Sequence, residues 1–204
     1  MRLAEVLHRT AEKKFRSSIF VPNKTRSMPF IDTPIPDLYL FEPQVWADER
    51  GYFFESYNQA TFAARGLHYD FIQDNEAQSE RGVLRGLHFQ RGAAAQAKLV
   101  RVTAGEVYDV AVDLRPGSAT YGRWYGTYLS AANKLQLLIP RGFAHGYLVT
   151  SETAVFNYKC DNLYDKSAEG GVLYNDPRIG VAWPVLDVPY VLSEKDRGWA
   201  LLAG

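Results

Sequence analysis

Residues 98–102 read Lys98-Leu99-Val100-Arg101-Val102, and residues 107–113 read Val107-Tyr108-Asp109-Val110-Ala111-Val112-Asp113. Both stretches alternate strongly, the period-2 pattern of strands with one face on a core. Thr103 to Glu106, with Gly105, supplies the turn between them, so the two read as a hairpin. Residues 124–129 and 134–139 form a second pair around Ser130 to Asn133. Residues 147–149 and 153–159 form a third. One helix stands out in the main body, at about 58–65, with Asn58 as its cap. Short strands at regular spacing predict a sandwich or a barrel. The main body, residues 31–204, reads as a single all-β domain.

The chain has 204 residues, enough for one domain with a real core. Its composition is 47% hydrophobic and 23% charged, the balance of a soluble globular protein. Thirteen tyrosines suit a strand-rich fold or a carbohydrate or nucleotide pocket, because each has an apolar body and a polar tip. A net charge of zero gives no support for nucleic-acid binding. The charge is uneven, however. Arg2, Arg9, Lys13, Lys14, Arg16, Lys24 and Arg26 face only Glu5 and Glu12, so residues 1–30 form a basic N-terminal extension, disordered or helical, with a short helix over 3–15. A single cysteine, Cys160, leaves no internal disulfide and fits a reducing compartment, the cytoplasm. No apolar run reaches the roughly 20 residues of a membrane helix, and the basic start lacks the apolar stretch of a secretory signal.

The chemistry is concentrated in Gln73-Asp74-Asn75, Arg85-Gly86-Leu87-His88-Phe89-Gln90, Lys98 and Pro140-Arg141-Gly142-Phe143-Ala144-His145-Gly146. Strand pairs around a Pro-x-Gly-x-x-His turn resemble cupins, jelly-roll β-barrels that often hold a metal on histidines and a carboxylate. The expected fold is therefore a cupin-like barrel with short flanking helices. A metal site of that kind wants His-x-His where this chain has His88-Phe89-Gln90, and two imidazoles are a poor set for a transition metal. No metal and no cofactor are expected. Proton chemistry is the alternative use of such a pocket, with histidine as base and a carboxylate to fix its tautomer. His88 among Arg85, Gln90 and Lys98 makes a polar set that an apolar core would not tolerate.

At this point the sequence resembles the dTDP-4-dehydrorhamnose 3,5-epimerase family, from about residue 33 to 198. The matching stretches are Asp48-Glu49-Arg50-Gly51-Tyr52-Phe53-Phe54-Glu55-Ser56, Gln73-Asp74-Asn75, Leu84 to Gln90 and Gln96 to Arg101. Further matches are Ile139-Pro140 to Gly146, Tyr158-Lys159, Asn175-Asp176-Pro177 and Leu192-Ser193-x-Lys195-Asp196. The resemblance implies a base at His88 oriented by Asp196, an acid at Tyr158 on the opposite face, and a cation, Lys98, beside the enolate oxygen. It implies diphosphate clamps at Arg50 and Arg85, and ligand contacts at Glu55, Gln73, Asn75, His145, Glu169 and Lys195. Tyr164 resembles the residue that stacks on thymine. The family often has two adjacent tyrosines there; this chain has Leu163-Tyr164.

The expected reaction inverts C3 and C5 of dTDP-4-keto-6-deoxy-D-glucose, in the dTDP-rhamnose route, by proton removal and return through an enolate. A homodimer is implied by the resemblance alone. Two other readings use the same motifs. One is a single-centre epimerase acting at C3 or C5 in another deoxysugar route; the other is a non-catalytic sugar-nucleotide-binding cupin, which would need the arginines and the stacking tyrosine but no acid–base pair.

Overall fold

The computed structural model describes residues 29–202. The extension read over residues 1–30, with its helix at 3–15, lies outside the described residues except for Pro29 and Phe30. The chain begins with β1 (Phe30–Asp32), β2 (Tyr39–Phe41), β3 (Trp46–Asp48), β4 (Gly51–Phe53) and the helix α1 (Gln59–Ala64). Next come β5 (Gln73–Glu80), β6 (Leu84–Gln90), β7 (Lys98–Ala104) and β8 (Glu106–Asp113). The last strands are β9 (Trp124–Ser130), β10 (Gln136–Ile139), β11 (Phe143–Val149), β12 (Thr153–Cys160) and β13 (Glu169–Gly171), followed by α2 (Glu194–Arg197).

The strands form a six-stranded sheet in the order β1-β2-β10-β7-β12-β5 and a five-stranded sheet in the order β13-β6-β11-β8-β9. Their pairings are antiparallel, and β3 with β4 makes a separate hairpin. The expected jelly roll is present, as two facing sheets rather than a barrel closed by hydrogen bonds. Val100, Val107, Ala111, Leu129, Leu137 and Phe156 meet between the sheets and are almost fully buried. Each large apolar side chain there contributes roughly 1.5–3 kcal/mol through burial.

The three sequence hairpins are not hairpins. β7 and β8 lie in different sheets, as do β9 and β10, and β11 and β12. Alternation reports which face of a strand meets the core, and it looks the same whether the next strand pairs with it or crosses over. Glu106, placed in a turn by the sequence, opens β8 instead. Gly105 makes the first of these crossings possible. Its φ is +73°, and a Cβ there would lie 1.9 Å from the Thr153 carbonyl oxygen.

The helix at 58–65 is present as α1. Asn58 Oδ1 accepts the Ala60 and Thr61 N–H groups at 3.0 and 3.4 Å, satisfying donors left free by the first turn. The helix buries Phe62 against Phe30 and Phe41, at ring distances of 4.9 and 5.1 Å. Phe30 thus belongs to the folded body.

Candidate active site

Both sheets contribute to one cleft. From the six-stranded sheet come Gln73 and Asn75 on β5, Lys98 on β7 and Tyr158 on β12; from the other come Arg85 and His88 on β6, His145 on β11 and Glu169 on β13. Alternation explains the selection. Along β5 the odd-numbered side chains turn away from solvent, so Gln73, Asn75 and Ala77 share the inner face. The cleft has two lobes, of about 230 and 320 Å³, and His88, Lys98, Tyr158, Tyr164 and Glu169 line both.

His88 is held from behind. Its Nε2 is hydrogen-bonded to Asp196 Oδ1, while the Ser193 hydroxyl donates to Asp196 Oδ2 at 2.8 Å. Ser193 is also the N-cap of α2, accepting the Asp196 N–H at 3.1 Å, so one short helix turn fixes the carboxylate. Asp196 is 4% exposed. Burial alone would push its carboxyl up, but the hydrogen bonds from His88 and Ser193 and the nearby positive charges outweigh that and hold it below its ordinary value. The second ring nitrogen of His88 is left to take a proton. The Trp199 ring stands edge-on to the imidazole, with centroids 6.1 Å apart.

Across the cleft, Lys98 Nζ lies 5.8 Å from the centre of the Tyr158 ring. Burial pulls the Lys98 ammonium below its ordinary value, with Cys160, Asp109 and Glu169 opposing the shift. Burial also pushes the Tyr158 phenol above its ordinary value, so it keeps its proton at neutral pH. Cys160 is fully buried beside them, and burial pushes its thiol up to about 11, which makes it inert as a nucleophile.

The sequence profile of the dTDP-4-dehydrorhamnose 3,5-epimerase family matches residues 32–204. The enzyme of that name from Salmonella typhimurium is 56% identical over 173 residues, covering 84% of this chain and 94% of that one. This chain belongs to the dTDP-4-dehydrorhamnose 3,5-epimerase family. It is an isomerase, an epimerase by type. The crystal structure of the family member from Elizabethkingia anophelis superposes with a TM-score of 0.81 at 53% identity, covering 84% of this chain and 94% of that one. A Legionella pneumophila dTDP-6-deoxy-D-glucose-3,5-epimerase, solved in complex with dTDP-4-keto-L-rhamnose, gives 0.81 at 46% identity and covers 84% of this chain and 91% of that one.

Most of the epimerase residues singled out in the sequence converge. His88, Lys98, Tyr158, Arg85, Gln73, Asn75, His145, Tyr164, Glu169 and Lys195 all line the cleft, with Asp196 directly behind it. Lys195 donates to Glu169 at 2.8 Å across the cleft rim. Arg85 donates to Ser79 Oγ at 3.1 Å. Arg50 and Glu55 are elsewhere. They line a groove of about 890 Å³ around the β3–β4 hairpin, and the Arg50 side chain is 83% exposed and bound to Asp48 at 2.5 Å.

Three contributors escaped the sequence reading of the epimerase site. Ser193 is one, although Ser-x-x-Asp ahead of a short helix is a readable cap signal. Asp109 is another. It is fully buried, Oδ2 meets His145 Nε2 at 2.9 Å, and Oδ1 has no partner among the described residues. Trp199 is the third; a Cβ on Gly171 would come within 2.3 Å of its indole, so that glycine makes room for it. Among the described residues no group of three or more His, Cys, Asp or Glu side chains is arranged to hold a metal ion. Nor, among them, is any helix long and apolar enough to cross a membrane.

Proposed function

We propose that this epimerase inverts C3 and C5 of dTDP-4-keto-6-deoxy-D-glucose, giving dTDP-4-keto-6-deoxy-L-mannose for dTDP-rhamnose synthesis. The observation that carries the reading is the seating of His88 and Tyr158 on opposing sheets of one cleft, with Lys98 between them in sequence and in the lining of both lobes. C3 and C5 both flank the C4 ketone, which acidifies their C–H bonds. His88 takes a proton from one of these carbons, and the electron pair moves onto the C4 oxygen. The Lys98 ammonium meets that enolate oxygen, a developing charge in a desolvated site. Tyr158 returns a proton to the carbon from the other face, and solvent restores both side chains. Composition is unchanged and configuration is inverted.

Arg85 is assigned to the diphosphate, for which its forked guanidinium is suited. Gln73, Asn75, His145, Glu169 and Lys195 contact the remaining polar groups, and Tyr164 stacks on the thymine. A homodimer gives the exposed hairpin a use, because Arg50 and Glu55 of one protomer would then serve the cleft of its partner. The cytoplasm is the compartment that suits a lone buried Cys160. The chemistry assigns no step to a metal, so turnover should survive exhaustive chelation; recovery only on adding a divalent ion would refute this. Incubation with the substrate in deuterated water, read by NMR, tests the number of centres. Label at both C3 and C5 supports the proposal, and label at one alone would make this a single-centre epimerase.

A further inference from the structure

Between β12 and a short 3-10 helix at Lys166–Ala168, residues 161–165 pass from the six-stranded sheet towards the five-stranded one. In this segment the N–H groups of Leu163, Tyr164 and Asp165 all donate to side-chain oxygens. Leu163 donates to Asn162 Oδ1 at 3.0 Å, Tyr164 to Gln73 Oε1 at 3.1 Å, and Asp165 to Gln90 Oε1 at 2.9 Å. Gln73 opens β5 in one sheet, and Gln90 closes β6 in the other. Two consecutive amides are therefore pinned to opposite walls of the cleft. The Gln73 carboxamide is itself oriented, because its Nε2 donates to Asn75 Oδ1 at 3.0 Å. Gln90 is only 7% exposed. The near end of the segment is tied as well, with Gln96 Nε2 donating to the Asn162 carbonyl and Asn162 Nδ2 to that of Ala93, both at 2.8 Å.

We infer that Gln90 is a positioning residue for recognition of the nucleotide base, acting with Gln73 to hold the loop that presents Tyr164. Tyr164 is half exposed and lines both lobes, so the course of the loop sets where its ring stands in the cleft. A loop ordered before binding avoids the entropy cost of ordering it on the ligand, and that difference appears as affinity. An apolar side chain at 90 would leave the Asp165 N–H without its acceptor, and the backbone of 164–165 would shift to regain one. The reaction centre at His88 and Tyr158 does not depend on either amide. The inference rests on the proposal that Tyr164 stacks on the base.

The test is a double-mutant cycle on the full-length protein, with dTDP and inorganic pyrophosphate as probes in calorimetry. Gln90→Met keeps the length and bulk of the side chain and removes the acceptor. It should weaken dTDP about five- to tenfold, the loss of one ordered hydrogen bond, and leave pyrophosphate binding within about twofold. In a Tyr164→Ala background the same change should cost nothing further. With substrate, KM should rise while kcat stays within about twofold, and amide exchange at 163–165 should quicken. Unchanged dTDP affinity, an equal loss with pyrophosphate, or an equal loss in the Tyr164→Ala background would each overturn the inference. If Gln90→Met does not fold, Gln90→Leu, which also removes the acceptor, enters the same cycle with the same expected non-additivity, and additivity there overturns it equally. Failure of the stacking proposal itself shows separately, as unchanged dTDP affinity in Tyr164→Ala alone.

Discussion

His88 on β6 and His145 on β11 are direct register partners, yet each imidazole is bonded to a different aspartate. Asp196 holds the first from a C-terminal helix turn, and Asp109 holds the second from β8. This splits two jobs that one histidine pair could otherwise share. Asp196 lines neither lobe of the cleft, so Asp196→Asn should lower kcat about 10²-fold or more while KM moves little. Asp109→Asn, which loosens a proposed ligand contact, should act mainly by raising KM. Steady-state kinetics on both variants checks this, and the same pattern in the two would contradict the division.

Alkaline pH separates Lys98 from Tyr158. Burial lowers the Lys98 ammonium from its ordinary 10.5, so its charge is lost earlier than that of an exposed lysine. Burial raises the Tyr158 phenol from its ordinary 10.0, so its proton is retained longer. The alkaline fall in kcat should therefore follow Lys98. Lys98→Arg, which stays charged, should move that fall to higher pH even if the overall rate drops. A limb that stays in place would assign it to another group.

Nucleotide affinity should divide between the loop and β6. Tyr164→Ala should cost roughly 1–3 kcal/mol of dTDP binding, the range for an aromatic stacked on a base. Arg85→Ala should cost more, because a charge-assisted contact to the diphosphate is lost. Calorimetry with dTDP reads both. Unchanged affinity in the two variants would refute the assignment.

Fold stability has an electrostatic anchor away from the cleft. Asp113 is fully buried and accepts from Arg115, Ser118 and Thr120 at 2.7–3.0 Å. Burial alone would raise its carboxyl, yet these donors together hold it far below its ordinary 3.8. A carboxyl with a depressed folded value stabilises the fold above its unfolded value, and that contribution is lost as pH falls below 3.8. Asp113→Ala should cost about 3 kcal/mol at neutral pH in urea unfolding, since it strands buried donors. The difference from wild type should shrink in strong acid.

What could be read from the sequence was local. Alternation along 98–102 and 107–113 gives strands, and Asn58 gives a cap, because both depend on near neighbours. Strand pairing was not legible. Lys98–Ala104 pairs with Gln136–Ile139 and Thr153–Cys160, a choice made by closure of the core. Asp109 was within reach of the pattern, since it shares a face with Val107 and Ala111 in the inter-sheet core, and an acid there needs a partner. Gln90 was not. Read as a missing metal ligand and as one of the polar set around His88, it meets Asp165 through a loop whose course no local signal records. Arg50 was carried over by resemblance alone, and the exposed hairpin that bears it keeps it out of its own cleft.

The central claim is that base and acid work from opposite faces, and Tyr158→Phe in deuterated water tests it most directly. As a reference, His88→Asn should lose both solvent exchange and inversion, by about 10²- to 10⁴-fold or more. Tyr158→Phe keeps the ring and removes only the hydroxyl. His88 can still take the C5 proton and return a solvent-derived one to the same face. NMR should then show deuterium entering with configuration retained while epimer formation collapses. Equal loss of exchange and inversion in the Phe variant would mean that Tyr158 is needed to form the enolate, and the two-face account would be wrong.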